Sequence, residues 1–405
     1  MFKLLGRKIG KSQFEVMDVI VLLIVSAIAL YIRLIFVELK FPDYTICLKP
    51  WVDAFREYGG FAGLGHEIGN YTPAYMHLLM LISYFDVEPL YVIKAVSIAL
   101  DFVLAIIGSM LLTTGMHKYK KILTYIIILM LPTVIANSGV WGQCDNIYTI
   151  FILCALYCAL KEVSKTIKVG KIKLTFQTDD FVMFFLGCAF AFKLQTVFLL
   201  PVIAVLCIKR NYRLRTFLWI FVVYGITLIP SWIAGRGVVD MLTIYFRQTK
   251  DFNELQLEFP NMYSFWQFEG LDKEIGNMGI WFCGLGLVLL VYYLYQKKIT
   301  FDVRFLCTFT TLSVLFITYF LPHMHDRYAY IAEVTSVYFL LDGDKKKMWI
   351  PVVLNLIALE SYSETLFWFS FEGFNIIGAL LRLVVIIVLA YDLMAQTKER
   401  EEGSR

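Results

Sequence analysis

The residues of this chain that could do chemistry fall into three short clusters. The first is Pro42-Asp43-Tyr44, followed by Trp51 and Asp53 and then by Tyr71-Thr72-Pro73. The second is Trp141-Gly142-Gln143-Cys144-Asp145-Asn146. The third is His323-Met324-His325-Asp326-Arg327, to which Lys193-Leu194-Gln195 adds a lone cation and an amide. A carboxylate at the mouth of an apolar cavity suits a general base, because burial tunes its pKa upward, and Asp43 is the candidate. The bland alternative is a solvated loop acid or a helix cap. Asp53 fits a surface or structural role better. Trp141, Gln143, Asp145 and Asn146 are types that recognise hydroxyl-rich ligands, with the indole on a sugar face and the polar groups on its hydroxyls. Against this stands an interfacial Trp with Asp145 as a helix cap. His323, His325 and Asp326 raise a metal reading. Two His at i and i+2 with one Asp lack the third His or the helical H-E-x-x-H that would make it strong. An anionic partner is the better expectation: Arg327 offers a bidentate fork to phosphate, and His323 and His325 are further donors. Lys193 would add a second positive charge, or else snorkels.

These clusters must be carried by membrane-spanning helices. Of 405 residues, 59% are hydrophobic and 17% charged, more apolar surface than a soluble fold of this size can hide. Apolar runs long enough to cross a bilayer recur from end to end. The net charge of +4 comes mainly from short basic loops, an orientation signal and not a nucleic-acid footprint. The eight cysteines show no C-x-x-C; Cys47 and Cys144 fall on one side and could pair or stay free.

Lys3, Arg7, Lys8 and Lys11 precede the first apolar run, 15–37, which reads as a signal anchor with a cytoplasmic N-terminus. Arg33 sits near its outer end, where a charge must be paired or face a cavity. Segment 71–85 is short and begins at a proline. Counting it as a span would put the basic run 116–121 outside, so 50–65 and 71–85 are expected as interfacial helices within a first outer loop, 38–89. Spans follow at 90–115, 121–139 and 146–162, then a basic cytoplasmic loop, 163–173. Two short spans are expected within 180–207, with their turn at Phe192–Gln195. Beyond the span at 215–234 lies a long outer loop, 235–279, rich in aromatic and acidic residues, whose length suits a binding role. Spans at 280–295, 303–321, 328–341, 348–362 and 374–394 complete the set, with a disordered cytoplasmic tail at 396–405. The expected architecture is an all-α integral membrane protein, a single domain over 1–405 with about twelve spans and both ends cytoplasmic. With that orientation every polar cluster falls on the outer side.

No G-x-x-x-x-G-K-[ST], strand-associated G-x-G-x-x-G or G-x-S-x-G is present. Nucleotides are not available outside the cell, so an outward phosphate site in a lipid setting most economically takes a lipid-linked phosphate. The motifs DYTICLKPW, GGFAGL, NYTPAY, SGVWGQCDN, FKLQTVFLLP and PHMHDRYAY, in this order, resemble the GT-C-fold glycosyltransferases that use polyprenyl-phosphate sugars. The nearest type is the bacterial relatives of the GPI-anchor mannosyltransferase family. The resemblance covers about residues 33 to 330. It implies a GT-C-like helical bundle, a catalytic Asp in the first outer loop, carried onto Asp43, and a donor-phosphate site at His325 and Arg327. Two departures stand out: Tyr-Thr-Pro-Ala replaces the commoner double proline, and His-Asp-Arg replaces His-Glu-Arg or His-Glu-Lys.

The expected function is inverting transfer of a hexose, mannose favoured, from a polyprenyl phosphate to an acceptor hydroxyl on a glycan, glycolipid or protein outside the cell membrane. Asp43 is the base. Arg33, Lys193, His323, His325 and Arg327 face the phosphate. Tyr44, Trp51, Asp53, Tyr71, Trp141, Gln143, Asp145, Asn146 and Gln195 face sugar or acceptor. No metal or other cofactor is expected beyond the lipid-linked co-substrate, and no nucleic-acid partner. A transporter of lipid-linked sugars is the alternative, marked by repeat-related halves and midplane polar residues. A ligase of lipid-linked oligosaccharides is a third.

Overall fold

The computed structural model describes residues 14–169, 172–248, 254–265 and 270–402. Lys3, Arg7, Lys8 and Lys11, on which the expected orientation of the first span rests, lie outside them. Helix α1 (Val16–Ile35) is followed by a π turn, Asp43–Leu48, and by α2 (Lys49–Glu57) and α3 (Pro73–Ser83). Then come α4 (Pro89–Leu112), α5 (Lys118–Met130) and, after a bend and a second π turn at Ala136–Trp141, α6 (Asp145–Lys161). Strands β1 (Lys165–Val169) and β2 (Ile172–Phe176) form an antiparallel hairpin where a plain loop was expected. Helices α7 (Thr178–Phe192), α8 (Leu200–Arg210) and α9 (Leu218–Ile233) lead to the long loop, which carries β3 (Gln256–Leu257). The chain ends with α10 (Asp272–Gln296), α11 (Val303–Phe320), β4 (Met324–His325), α12 (Tyr330–Ser336), α13 (Trp349–Phe367) and α14 (Phe374–Glu402).

Among the described residues six helical stretches are long and apolar enough to cross a membrane: α1, α4, Leu214–Ile233, α10, α11 and Phe374–Lys398. A seventh results if α5 and Pro132–Trp141 count as one span bent by 49°. Pro132 causes the bend, since it cannot continue the hydrogen-bond ladder of α5. The sequence led to about twelve. The shortfall lies in α6, α7, α8 and α12, with 17, 15, 11 and 7 residues, against the roughly 20 a span needs, and in α13, which carries Glu360 and Glu364. Helix α11 is the central post, with 78% of its apolar window buried; α1 and α10 bury 17% and form the outer wall.

Two further expectations change. Helix α2 is amphipathic, with Val52 and Phe55 inward, but α3 buries eight of its eleven residues and is packed into the bundle instead of lying on a surface. The 396–405 segment is helical through Glu402, because α14 runs on; residues 403–405 lie outside the described set. The break in 180–207 falls at Lys193, whose extended backbone (φ −146°, ψ 139°) ends α7 before a 3-10 turn, Leu194–Leu199.

The apolar core of the first loop explains how the loop is held. Tyr44, Leu48, Val52, Phe55, Tyr75, Met76 and Leu79 pack together with Cys144 and Ile147, so the loop is seated on the start of α6. Lys94 of α4 donates to the carbonyls of Phe36 and Leu39, each at 2.8 Å. It thereby satisfies orphan acceptors at the end of α1 and fixes the approach to Asp43.

Candidate functional site

Four separate segments bring their polar residues to one place. Asp43 opens the first π turn directly after Pro42, with its side chain 41% exposed. Gln143 Nε2 donates to Asp43 Oδ2 at 2.5 Å. Gln143 is itself positioned by its backbone: its N–H bonds Asn137 O at 2.8 Å and its carbonyl accepts from Ser97 Oγ at 2.5 Å. This path requires Gly142 in the left-handed region (φ +82°), where a Cβ would also press on Lys94 at 3.3 Å. Both segments are π-wound, a geometry that recurs at functional sites because it re-aims side chains that a regular helix would stack.

Asp145, at the start of α6, is fully buried. It receives Lys193 Nζ at 2.6 Å and Asn137 Nδ2 at 2.9 Å. Arg327 closes the group: its guanidinium is 3.9 Å from Asp43 Oδ2 and 3.8 Å from Asp145 Oδ2, and it stacks 4.8 Å above the Trp141 ring. The Arg327 Nε is buried and makes no hydrogen bond. Asp326, beside it, accepts from Thr365 Oγ1 at 2.6 Å. The centre thus holds Lys193 and Arg327 against Asp43, Asp145 and Asp326, and it is acid-rich where the sequence suggested a cationic phosphate site.

The buried neighbours set the protonation states. Burial, with the charges of Arg327 and Lys193 nearby, pushes the His325 imidazole down to about 3, so it is neutral at physiological pH. Burial pushes the Asp326 carboxyl up to about 6 against the pull of Arg327 and Thr365. Burial also lifts the Tyr71 phenol to about 12, which leaves it a neutral donor. Because the ordinary Asp326 value is 3.8, the folded chain keeps a proton between about pH 4 and 6 that the unfolded chain releases. The stability from this group is present below 3.8 and is lost as pH rises through 6. His325 works the other way: its stability is present above 6.5 and is lost as pH falls toward 3. Subtracting the pH–stability curve of Asp326→Asn in detergent from that of wild type should therefore leave a difference that declines from pH 4 to 6. A flat difference would remove the buried-acid assignment.

Other expected site residues lie elsewhere. Arg33 is not at the centre: it is fully buried, with Nε on Asp101 at 2.7 Å and its remaining donors on the carbonyls of Ala29 and Leu129. Asn146 turns the same way and donates to Asp101 Oδ1 at 2.9 Å. Trp141 is buried edge-on against Tyr362 and serves as the floor beneath Arg327, with no open face for a sugar. Tyr44 is buried and ties its hydroxyl to Glu88 at 2.8 Å. Asp53 pairs with Lys49 and Arg56 along α2. Trp51 fills the space over Gly69 and touches Tyr71. Gln195 lies against the Tyr328 hydroxyl. His323 is held in the left-handed region (φ +61°), and its Nδ1 donates to Glu254 O at 2.6 Å. Its backbone N–H bonds Leu255 O at 3.1 Å, so the long loop is stitched to this motif by the parallel β3–β4 pair. Cys47 and Cys144 are both free thiols. Among the described residues no group of three or more His, Cys, Asp or Glu is placed to hold a metal ion.

The sequence reading missed Asn137, Thr365 and, above all, Asp101. An Asp in mid-span between apolar neighbours is itself the signal, since a charge at that depth needs a partner. Glu333 and Arg382, both fully buried, went unnoticed for the same reason.

Comparisons with protein-family models, with curated proteins and with solved structures find no match. Fold and site together define a helical, multi-pass membrane protein with a polar centre where its first loop meets the starts of α6 and α12.

Proposed function

We propose that the protein is a GT-C-like glycosyltransferase of the cell membrane, with about twelve crossings when the short helices are counted. In this reading both termini are cytoplasmic and the centre faces outward. The donor is a polyprenyl-phosphate hexose, with mannose suggested by the resemblance. The acceptor oxygen attacks C1 from the face opposite the phosphate. The bond from C1 to the phosphate oxygen breaks, polyprenyl phosphate leaves, and the configuration inverts. Asp43 takes the hydroxyl proton.

One observation supports this most: Asp43, partly exposed and fixed by Gln143, sits beside Arg327, whose Nε is buried and makes no hydrogen bond. Lys193 pairs with Asp145 at 2.6 Å, so Arg327, whose own pairing with Asp326 is longer at 3.4 Å, is the cation better placed for a donor phosphate. Arg33 drops out of that role. The test is transfer of label from radiolabelled polyprenyl-phosphate hexoses to lipid extracts of the host, by purified protein with and without chelator. Transfer insensitive to chelator is expected. Arg327→Lys should cost about a hundredfold, because a point charge replaces a planar fork; an unchanged rate would move the phosphate away from Arg327.

A transporter of lipid-linked sugars is the second reading. It is favoured by the ion pair Arg33–Asp101, fully buried between helices. Donor binding without transfer, together with flux into vesicles, would select it.

A further inference from the structure

The antiparallel hairpin β1–β2 lies at the far end of α6 from Asp145, about 24 Å away at the helical rise. Its register pairs Ile167 with Leu174 and Lys168 with Lys173. Strand alternation therefore puts Lys165, Ile167, Leu174 and Phe176 on one face, and Thr166, Lys168, Lys173 and Thr175 on the other. The Thr166 and Thr175 hydroxyls, 3.0 Å apart, confirm the second face. Ile167 and Leu174 are 43% and 46% exposed. A two-stranded ribbon with an open apolar pair is marginal in water, and two lysines directly opposite one another repel. Both faults are corrected by one surface: an apolar layer beneath a sheet of negative charge. The base of the hairpin already reaches toward such a layer. The Phe176 ring is 6.0 Å from Trp219 and 6.5 Å from Phe181. Trp219 lies in the apolar stretch Leu214–Ile233, whose Leu214, Leu218 and Phe221 are 84%, 61% and 71% exposed. Among the described residues Lys161, Lys165, Lys168 and Lys173 are all exposed, and none makes an ion pair.

We propose that this hairpin is a membrane-surface contact for anionic lipid. Ile167 and Leu174 enter the headgroup layer beside the lipid-facing helix. The four lysines meet lipid phosphates, with Lys168 and Lys173 sharing one anion that relieves their repulsion. The contact is independent of the reaction assigned to the opposite end of the bundle.

The experiment is amide hydrogen exchange on the full chain in two kinds of nanodisc, phosphatidylcholine alone and phosphatidylcholine with one quarter phosphatidylglycerol. Exchange across 164–176 should be about tenfold slower in the anionic discs, with α11 unchanged as internal reference. The slowing should vanish in high salt and in Lys168→Glu/Lys173→Glu. Equal exchange in the two discs would overturn the proposal. So would protection that survives both salt and charge reversal, because the hairpin would then be covered by something other than lipid charge. The lipid comparison uses the unaltered chain, so it decides even where the double variant folds poorly.

Discussion

Asp43→Asn is expected to lower hexosyl transfer by about a thousandfold, within the range that a positioned general base contributes, and to leave the fold intact. Both halves follow from the geometry. The side chain is partly exposed, and its single tight partner is Gln143, which donates to Oδ2. Asparagine keeps an acceptor oxygen for that bond, so stability should stay within about 0.5 kcal/mol. What it loses is the lone pair that takes the acceptor's proton. The amide also removes the charge of one of the three carboxylates facing Arg327, the one at 3.9 Å, which leaves that cation freer for an incoming phosphate. Donor affinity should therefore hold or rise while turnover collapses, a split between KM and kcat that a misfolded variant would not give. Transfer at the wild-type rate would remove Asp43 from the mechanism. Loss of donor binding together with turnover would make it a binding residue.

The sequence made the gathering of the site legible, but not its wiring. Asp43, Gln143, Asp145, Lys193 and Arg327 were selected because ionisable and amide groups at span ends need a reason to be there, and the fold brings all five within a few ångströms of one another. Their roles could not be read the same way. Trp141 has the composition of a sugar platform, yet Tyr362 covers its edge and Arg327 its face. Only the three-dimensional path of α13 decides that, and α13 carries no motif that points to Trp141. The number of spans is legible only in part, for a related reason. Hydropathy registers an apolar run, but α6 to α8 are short helices wrapped by others, where buried polar side chains find partners and length is not set by the bilayer. The β1–β2 hairpin carries the alternation of a strand in Ile172-Lys173-Leu174-Thr175-Phe176, and it escaped because its lysines read as a basic loop.

Arg33 offers the second large effect, one of stability. Arg33→Met should cost about 3–5 kcal/mol in reversible unfolding from mixed micelles, the penalty of leaving a buried charge without its partner. Asp101 is fully buried and would keep only Ser138 and Asn146, which bond its carboxylate but carry no charge. Ala29 and Leu129 would each lose a donor to a backbone carbonyl. Gly139, whose missing Cβ leaves room for the Arg33 stem at 3.0 Å, tolerates the methionine, so a steric clash does not enter the comparison. Adding Asp101→Asn to Arg33→Met should restore much of the loss, because the double variant buries no charge and retains an acceptor for Ser138. The sign of that coupling separates two roles. A structural pair gives a double variant more stable than the single one. A residue that holds the donor phosphate gives normal stability in Arg33→Met, lost donor binding, and no rescue by Asp101→Asn. Since α1, α4 and the second π turn meet at this pair, its loss should also loosen the backbone that presents Gln143 to Asp43. Residual transfer in Arg33→Met should then fall with temperature in step with unfolding, and not at a fixed ratio to wild type.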